Sequence, residues 1–272
     1  MTRFLESVEF SHEQKDEWPF LLPVFRGLGK LTFTSQVTIL VGENGSGKST
    51  LMEALAIALK LPAIGRADAH TDLTLKGLHP FSRGMTIHRG IALPKAKFFL
   101  RSEDFFGFIQ RLEAEAEELR GELERVKREN AHRSAFAQGQ AAMAYESSLG
   151  AMTGRYGQDM MTAASHGESF LRLFRSRMVP NGLYLLDEPE SPLSPLRQLA
   201  LLKLIDDLNR KDGCQFIIAT HSPILMAIPG AVIFSCDESP MAQRRYDELE
   251  SVTLLKSFLD GPERMIRHMM DE

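Results

Sequence analysis

Two cysteines in 272 residues, Cys214 and Cys236, are too few for a disulfide scaffold and lack the paired spacing of a thiolate metal site. Both read as packed, reduced thiols. No apolar run approaches the roughly 18 residues that span a bilayer. Arg3, Glu6 and Glu9 stand where a secretory signal would need an apolar core, so a cytoplasmic protein with no membrane partner is the expectation. A formal net charge of −4 exerts no global pull toward nucleic acid or an anionic surface, although Arg172, Arg175 and Arg177 form a local basic patch. No repeat recurs at solenoid spacing. With 43% apolar residues, the chain can bury the core of one large domain or two small ones.

The first stretch with chemical content is GENGSGKST, Gly42 to Thr50. A match to G-x-x-x-x-G-K-[ST] arises by chance in roughly 1% of chains this long, so its context decides. The apolar run VTILV, Val37 to Val41, precedes it as a buried strand, and Leu51, Leu55, Ile57, Ala58 and Leu59 follow at helical spacing. In a strand–loop–helix of this kind the glycines let the backbone curl, so that successive N–H groups and the helix N-terminus face phosphate oxygens. Asn44, Gly45, Ser46, Gly47, Lys48, Ser49 and Thr50 are therefore the candidate triphosphate contacts. Lys48 reaches the β/γ-phosphates, and the Ser49 hydroxyl suits Mg²⁺, a hard cation that prefers oxygen.

Upstream, alternation in VEF, LPVF and LTF predicts short antiparallel strands, and Trp18, Phe20 and Phe25 read as core aromatics in preference to a base-stacking platform. Downstream, a Gly/Pro/His-rich segment, Pro62 to Pro94, leads into the strand KAKFFL. From Ile109 the apolar residues Leu112, Ala116, Leu119, Leu123 and Val126 fall at alternating steps of three and four, a short heptad stripe. Residues 131–164, rich in Ala, Gly, Ser and Met, show no period and read as a mobile helical or loop segment. From Leu183 the pattern alternates strand and helix, LYLL, then LRQLALLKLIDDLNR, then QFIIAT, which predicts a parallel sheet. Residues 246–270 read as one or two amphipathic helices, broken near Gly261-Pro262, that pack on the sheet.

Asp187 and Glu188 follow LYLL directly, at the carboxyl end of a buried strand, where open α/β sheets bind ligands. Asp187 suits the Mg²⁺ shell. Glu188 is placed to polarise the water that attacks a γ-phosphate.

GENGSGKST, SHGESFL (Ser165 to Leu171), LYLLDEPE and ATHSP (Ala219 to Pro223) occur in the order of an ABC-type ATPase. Over nearly its whole length the chain resembles the soluble SMC/RecF-like branch, often catalogued among AAA-family ATPases. SHGESFL and FLDGPERMIRHM resemble, more narrowly, a group of compact stand-alone bacterial ATPases. The resemblance implies a single α/β P-loop NTPase domain over 1–272, with a mostly parallel sheet and N-terminal antiparallel strands. A helical lobe of about 103–180 would be inserted between halves 1–101 and 181–272.

The resemblance also implies Mg²⁺-dependent ATP hydrolysis by a nucleotide-dependent homodimer. Ser165, His166, Gly167 and Glu168 would form the signature that meets the ATP of the opposite subunit, and His221 would be the switch histidine near the γ-phosphate. Ser165 with Glu168 also fits a capping box. Three departures stand out: His166 replaces a glycine, Ser194 stands where relatives carry a bridging aspartate, and Arg101, Ser102 and Glu103 occupy the place of a metal-sensing glutamine. The alternative expectation is a slow or non-hydrolysing ATP-gated clamp for DNA or a partner effector protein, with the stripe at 109–126 as its docking arm.

Overall fold

The computed structural model describes residues 3–11, 18–63, 69, 71–156 and 166–270. The chain opens with β1 (Leu5–Phe10), β2 (Lys30–Thr32), β3 (Val37–Val41) and α1 (Lys48–Leu59), and continues through α2 (His79–Arg83), β4 (Met85–Arg89) and β5 (Ala96–Arg101). Three helices follow, α3 (Ser102–Glu129), α4 (Ala135–Tyr156) and α5 (His166–Arg177). The second half alternates β6 (Gly182–Asp187), α6 (Pro195–Asp212), β7 (Gln215–Ala219), α7 (Pro223–Met226) and β8 (Val232–Ser235), then ends in β9 (Ala242–Arg244), α8 (Glu250–Asp260) and α9 (Pro262–Met270).

The main sheet has the order β5-β6-β7-β3-β8-β9, parallel throughout except for β9. All residues of β3, β6 and β7 are buried, as expected of strands covered on both faces. On one face Leu40 and Leu185 pack with Leu51 and Leu55 of α1 and with the small sheet β2-β1-β4. On the other, Ile39, Leu186 and Ile218 pack with Phe170 of α5 and Leu201 and Ile205 of α6. Gln215 joins the two sheets: its Oε1 accepts from the N–H groups of Phe4 and Leu5 at 2.8 and 2.9 Å, and its Nε2 donates to the Leu5 carbonyl at 2.8 Å.

The insertion is a helical hairpin on the β5–β6 connection. At 28 residues, α3 extends about 42 Å. The heptad stripe turns toward α4, with Ala116 and Ala142 buried and Lys127 Nζ 2.8 Å from Glu146 Oε1 across the pair. At the base, Phe105 meets Phe170 edge-on at 4.5 Å and ties the hairpin to α5.

Two expectations about elements are corrected, at LPVF and at the C-terminal helices, and two segments that the sequence left open are filled. LPVF is not a strand: Pro23–Phe25 form a 3₁₀ turn, with Pro23 in its first turn where a missing N–H costs nothing. The Gly/Pro/His-rich segment contains β4, which pairs with β1. The Ala/Gly/Ser/Met-rich segment, read as helical or loop, is a helix over α4, with Ala142 buried. The C-terminal helices do break at Gly261, but they do not pack on the sheet. Leu249 and Val252 reach the second core, whose surface α6 and α7 already cover, and Leu255, Phe258, Leu259 and Met269 remain exposed.

Candidate functional site

The loop between β3 and α1 is shaped by glycines at positive φ: Gly42 at 146°, Gly45 at 83° and Gly47 at 100°. At Gly47 a Cβ would also lie 2.7 Å from Val24 Cγ1, so the 3₁₀ turn at Pro23–Phe25 buttresses the loop. Lys48 begins α1 and is buried. Its Nζ donates to the carbonyls of Gly42 and Glu43 at 2.7 and 2.9 Å, which closes the loop around the ammonium. The N–H groups of Lys48, Ser49 and Thr50 lie in the first helical turn, where no intrahelical acceptor exists. Asn44 and Gly45 are exposed at the loop tip, and Ser46 Oγ lies 3.5 Å from Lys48 Nζ. These seven residues run from the loop tip into the first turn of α1, a sequence of backbone donors of the kind suited to phosphate.

Strand order brings the second set of residues to this loop. β7 lies between β3 and β6, so the carboxyl ends of all three strands converge. Ser49 Oγ donates to Asp187 Oδ1 at 3.3 Å. Glu188 Oε1 sits 3.6 Å from His221 Nε2, with both side chains partly exposed. Burial pushes the Asp187 carboxyl up to about 7, against the hydrogen bond from Ser49 that favours ionisation.

A buried carboxylate paired with a hydroxyl fits a hard divalent cation, whose positive charge would offset that burial. Among the described residues no group of three or more His, Cys, Asp or Glu could hold a metal. Mg²⁺ needs none, because it binds through one or two protein oxygens completed by substrate phosphates and water.

Beside the loop, Gly42, Glu43, His221, Asp237, Arg244 and Glu248 line a cleft of about 390 Å³. Glu43 is held there by Asp237, whose Oδ1 accepts from the Glu43 N–H at 2.7 Å.

Of the signature, Ser165 lies outside the described residues. His166, Gly167 and Glu168 form the start of α5, and their side chains lie outside the description as well. Glu103 stands in the first turn of α3, largely exposed and 3.7 Å from Arg101 Nε. Phe25 is buried and Phe20 packs against the first core, as expected, whereas the reading of Trp18 as a core aromatic is corrected, because its ring is exposed.

Three residues that sequence reasoning left without a role are built into the site. Glu190 Oε1 accepts from the His221 N–H. Ser102 donates to the backbone carbonyls of Asp187 and Glu188. Arg101 is buried among Glu53, Asp72 and Asp104. The last acid of DEPE and the polar RSED run after an apolar strand were the available signals.

Residues 24–76 match a family model described as an AAA domain. Residues 170–227 match another, described as AAA domain, putative AbiEii toxin, Type IV TA system. No curated protein matches the chain significantly. Among solved structures, it is similar to a putative metal-chelate type ABC transporter in an inward-facing conformation, at 18% identity over 94% of this chain and 90% of that one, with a TM-score of 0.45. It is also similar to cbiO1 from Clostridium perfringens, part of the ABC transporter complex cbiONQ, at 17% identity over 99% and 100%, TM-score 0.45. A third is the Smc head domain from Pyrococcus furiosus, solved with the C-terminal domain of ScpA, at 12% identity over 94% and 99%, TM-score 0.42.

The sheet, the loop and the two AAA-domain matches, one in each half, together define the class, a P-loop NTPase fold. Within that class, the chain combines a compact nucleotide-binding core with a helical hairpin on the β5–β6 connection.

Proposed function

We propose that the chain is a Mg²⁺-dependent ATPase that dimerises head to tail around two ATP molecules, each held between one subunit's phosphate loop and the other's SHGES segment. The observation that carries this reading is the convergence of Lys48, Ser49, Asp187, Glu188 and His221 on one end of the sheet, with Ser49 Oγ 3.3 Å from Asp187 and Glu188 3.6 Å from His221.

Lys48 and the loop N–H groups bind the β- and γ-phosphates. Ser49 and, through water, Asp187 would hold Mg²⁺, which when bound neutralises charge on the phosphate oxygens. Glu188 accepts a proton from the attacking water, whose oxygen bonds to the γ-phosphorus as the bridging oxygen leaves on ADP. His221 orients that water and the γ-phosphate. The helix N-terminus at His166 faces the partner's triphosphate, so nucleotide affinity and dimer affinity rise together by linkage.

Glu188→Gln should retain MgATP, accumulate as dimer in size exclusion with light scattering, and lose nearly all turnover. Undiminished turnover in that variant removes Glu188 from the role. A parent protein that stays monomeric at saturating MgATP while hydrolysing it overturns the dimer.

A second reading, an ATP-gated clamp for DNA or a partner effector, is favoured by the projecting α3–α4 hairpin and the exposed apolar side chains of α8 and α9. DNA binding that appears only with ATP and weakens with salt would support it.

A further inference from the structure

Glu188 is one of three non-glycine residues with positive φ among the described residues, at 48°. A side chain with a Cβ resists this conformation, so it persists only where the surroundings hold it. Two contacts do so. The Glu188 N–H donates to the Ala219 carbonyl at 2.8 Å. On the other side of the residue, the Ser102 hydroxyl donates to the Glu188 carbonyl and lies 3.2 Å from the Asp187 carbonyl. The register explains the encounter, because Arg101 and Asp187 are Cα partners across β5 and β6, which sets Ser102 beside the first residue past β6.

Left-handed backbone has a consequence for the carboxylates. Along a regular strand successive side chains point to opposite faces. The turn at Glu188 interrupts that alternation, so Asp187 reaches Ser49 while Glu188 reaches His221, at the same end of the sheet. Ser102 itself is fixed from behind. The preceding guanidinium, Arg101, is anchored to Asp104 at 2.7 Å, Glu53 at 2.8 Å and Asp72 at 3.3 Å, which ties α3 to α1 and to the segment before α2.

We propose that Ser102 is a positioning residue for hydrolysis: its hydroxyl holds the left-handed Glu188 backbone and thereby aims the Glu188 carboxylate. The proposal rests on the reading of Glu188 as the base. Because Ser102 is the first residue of α3, the device lies where the helical hairpin joins the sheet.

The test compares Ser102→Ala, Ser102→Thr, Glu188→Gln and the double variant Ser102→Ala/Glu188→Gln in the full chain, with single-turnover hydrolysis, MgATP affinity and thermal stability as readouts. Ser102→Ala should lower the hydrolysis rate about tenfold or more, as expected for one lost charge-aiming contact. Its MgATP affinity should stay within about threefold of the parent. Ser102→Thr keeps the hydroxyl and should recover most of the rate. In the Glu188→Gln background, Ser102→Ala should cost little more, because the group it aims is gone.

Ser102→Ala that hydrolyses like the parent overturns the proposal. So does a loss of turnover matched by an equal loss of MgATP affinity or of folding, or a full additional loss in the double variant. Undiminished turnover in Glu188→Gln overturns the underlying assignment of the base instead, whichever way Ser102→Ala behaves.

Discussion

Glu190 Oε1 accepts a 2.7 Å hydrogen bond from the backbone N–H of His221, so the last acid of DEPE holds the loop that carries the histidine facing Glu188. Its other oxygen, Oε2, is buried without a hydrogen-bond partner, and burial pushes the carboxyl above its ordinary range against a hydrogen bond from Thr220. Glutamine at this position supplies the same acceptor oxygen with no charge to bury. Glu190→Gln should therefore hydrolyse ATP within about threefold of the parent, while Glu190→Ala loses roughly tenfold, the equivalent of one hydrogen bond. Equal losses in the two variants, measured at saturating MgATP, would show that the charge and not the acceptor matters.

Asp187 makes stability fall as pH rises. Its carboxyl is pushed up to about 7 by burial, from 3.8 in the unfolded chain. Between those values the folded state binds the proton more tightly, so its contribution is fully present below the lower value and is lost as pH climbs through the upper. A shift of that size corresponds to at most roughly 4 kcal/mol. Without nucleotide, the parent should lose stability from pH 4 to 7 more steeply than Asp187→Asn in denaturant titrations. Mg²⁺ needs the ionised carboxylate, so MgATP binding should strengthen as pH rises toward 7 and release a proton. Calorimetry in buffers of different ionisation enthalpy reads that proton directly. Identical pH slopes for parent and Asp187→Asn would refute the assignment.

Arg101 occupies the end of β5 as a buried cation among three carboxylates. Removing one member of such a group strands the others without compensation, which costs about 3–5 kcal/mol. Arg101→Ala should be destabilised by that amount in urea unfolding. Arg101→Lys should recover only part, because one ammonium cannot match a planar fork that reaches Asp104, Glu53 and Asp72 at once. A loss below about 1 kcal/mol in the alanine variant would mean that water compensates the acids.

The strands and loops with local chemistry were legible in the sequence. GENGSGKST reads as a loop because its glycines, lysine and hydroxyls act within nine residues, and the parallel sheet follows from apolar runs that alternate with helical periods. Long-range polar contacts left no such trace. Gln215 meets Phe4 and Leu5 some 210 positions away, and Ser102 meets Glu188 across 86. Nothing in the spacing of a lone Gln or Ser anticipates either. The segment of α4 was read only as helical or loop, for a different reason. Its covered positions, Gln138, Ala142, Tyr145, Leu149 and Met152, fall at helical spacing but mix polar, small and large side chains, so hydropathy shows little period there.

Gly47 combines both penalties that a side chain can meet, a φ of 100° and a Cβ position 2.7 Å from Val24 Cγ1, whereas Gly45, at 83°, has nothing within 4 Å. Gly45→Ala should therefore pay for backbone strain alone, about 1 kcal/mol, and Gly47→Ala for strain plus overpacking, about 2–4 kcal/mol in nucleotide-free unfolding. Val24→Ala separates the two terms. In the parent it leaves a small void and destabilises; in the Gly47→Ala background it makes room for the new methyl, so the double variant should be more stable than the sum of the single losses predicts. Strict additivity would mean that the turn at Pro23–Phe25 yields freely and does not buttress the loop. MgATP affinity, measured on the same proteins, should fall with the strain at Gly47 and recover only partly in the double variant, because Val24→Ala relieves the contact but leaves the left-handed backbone unchanged.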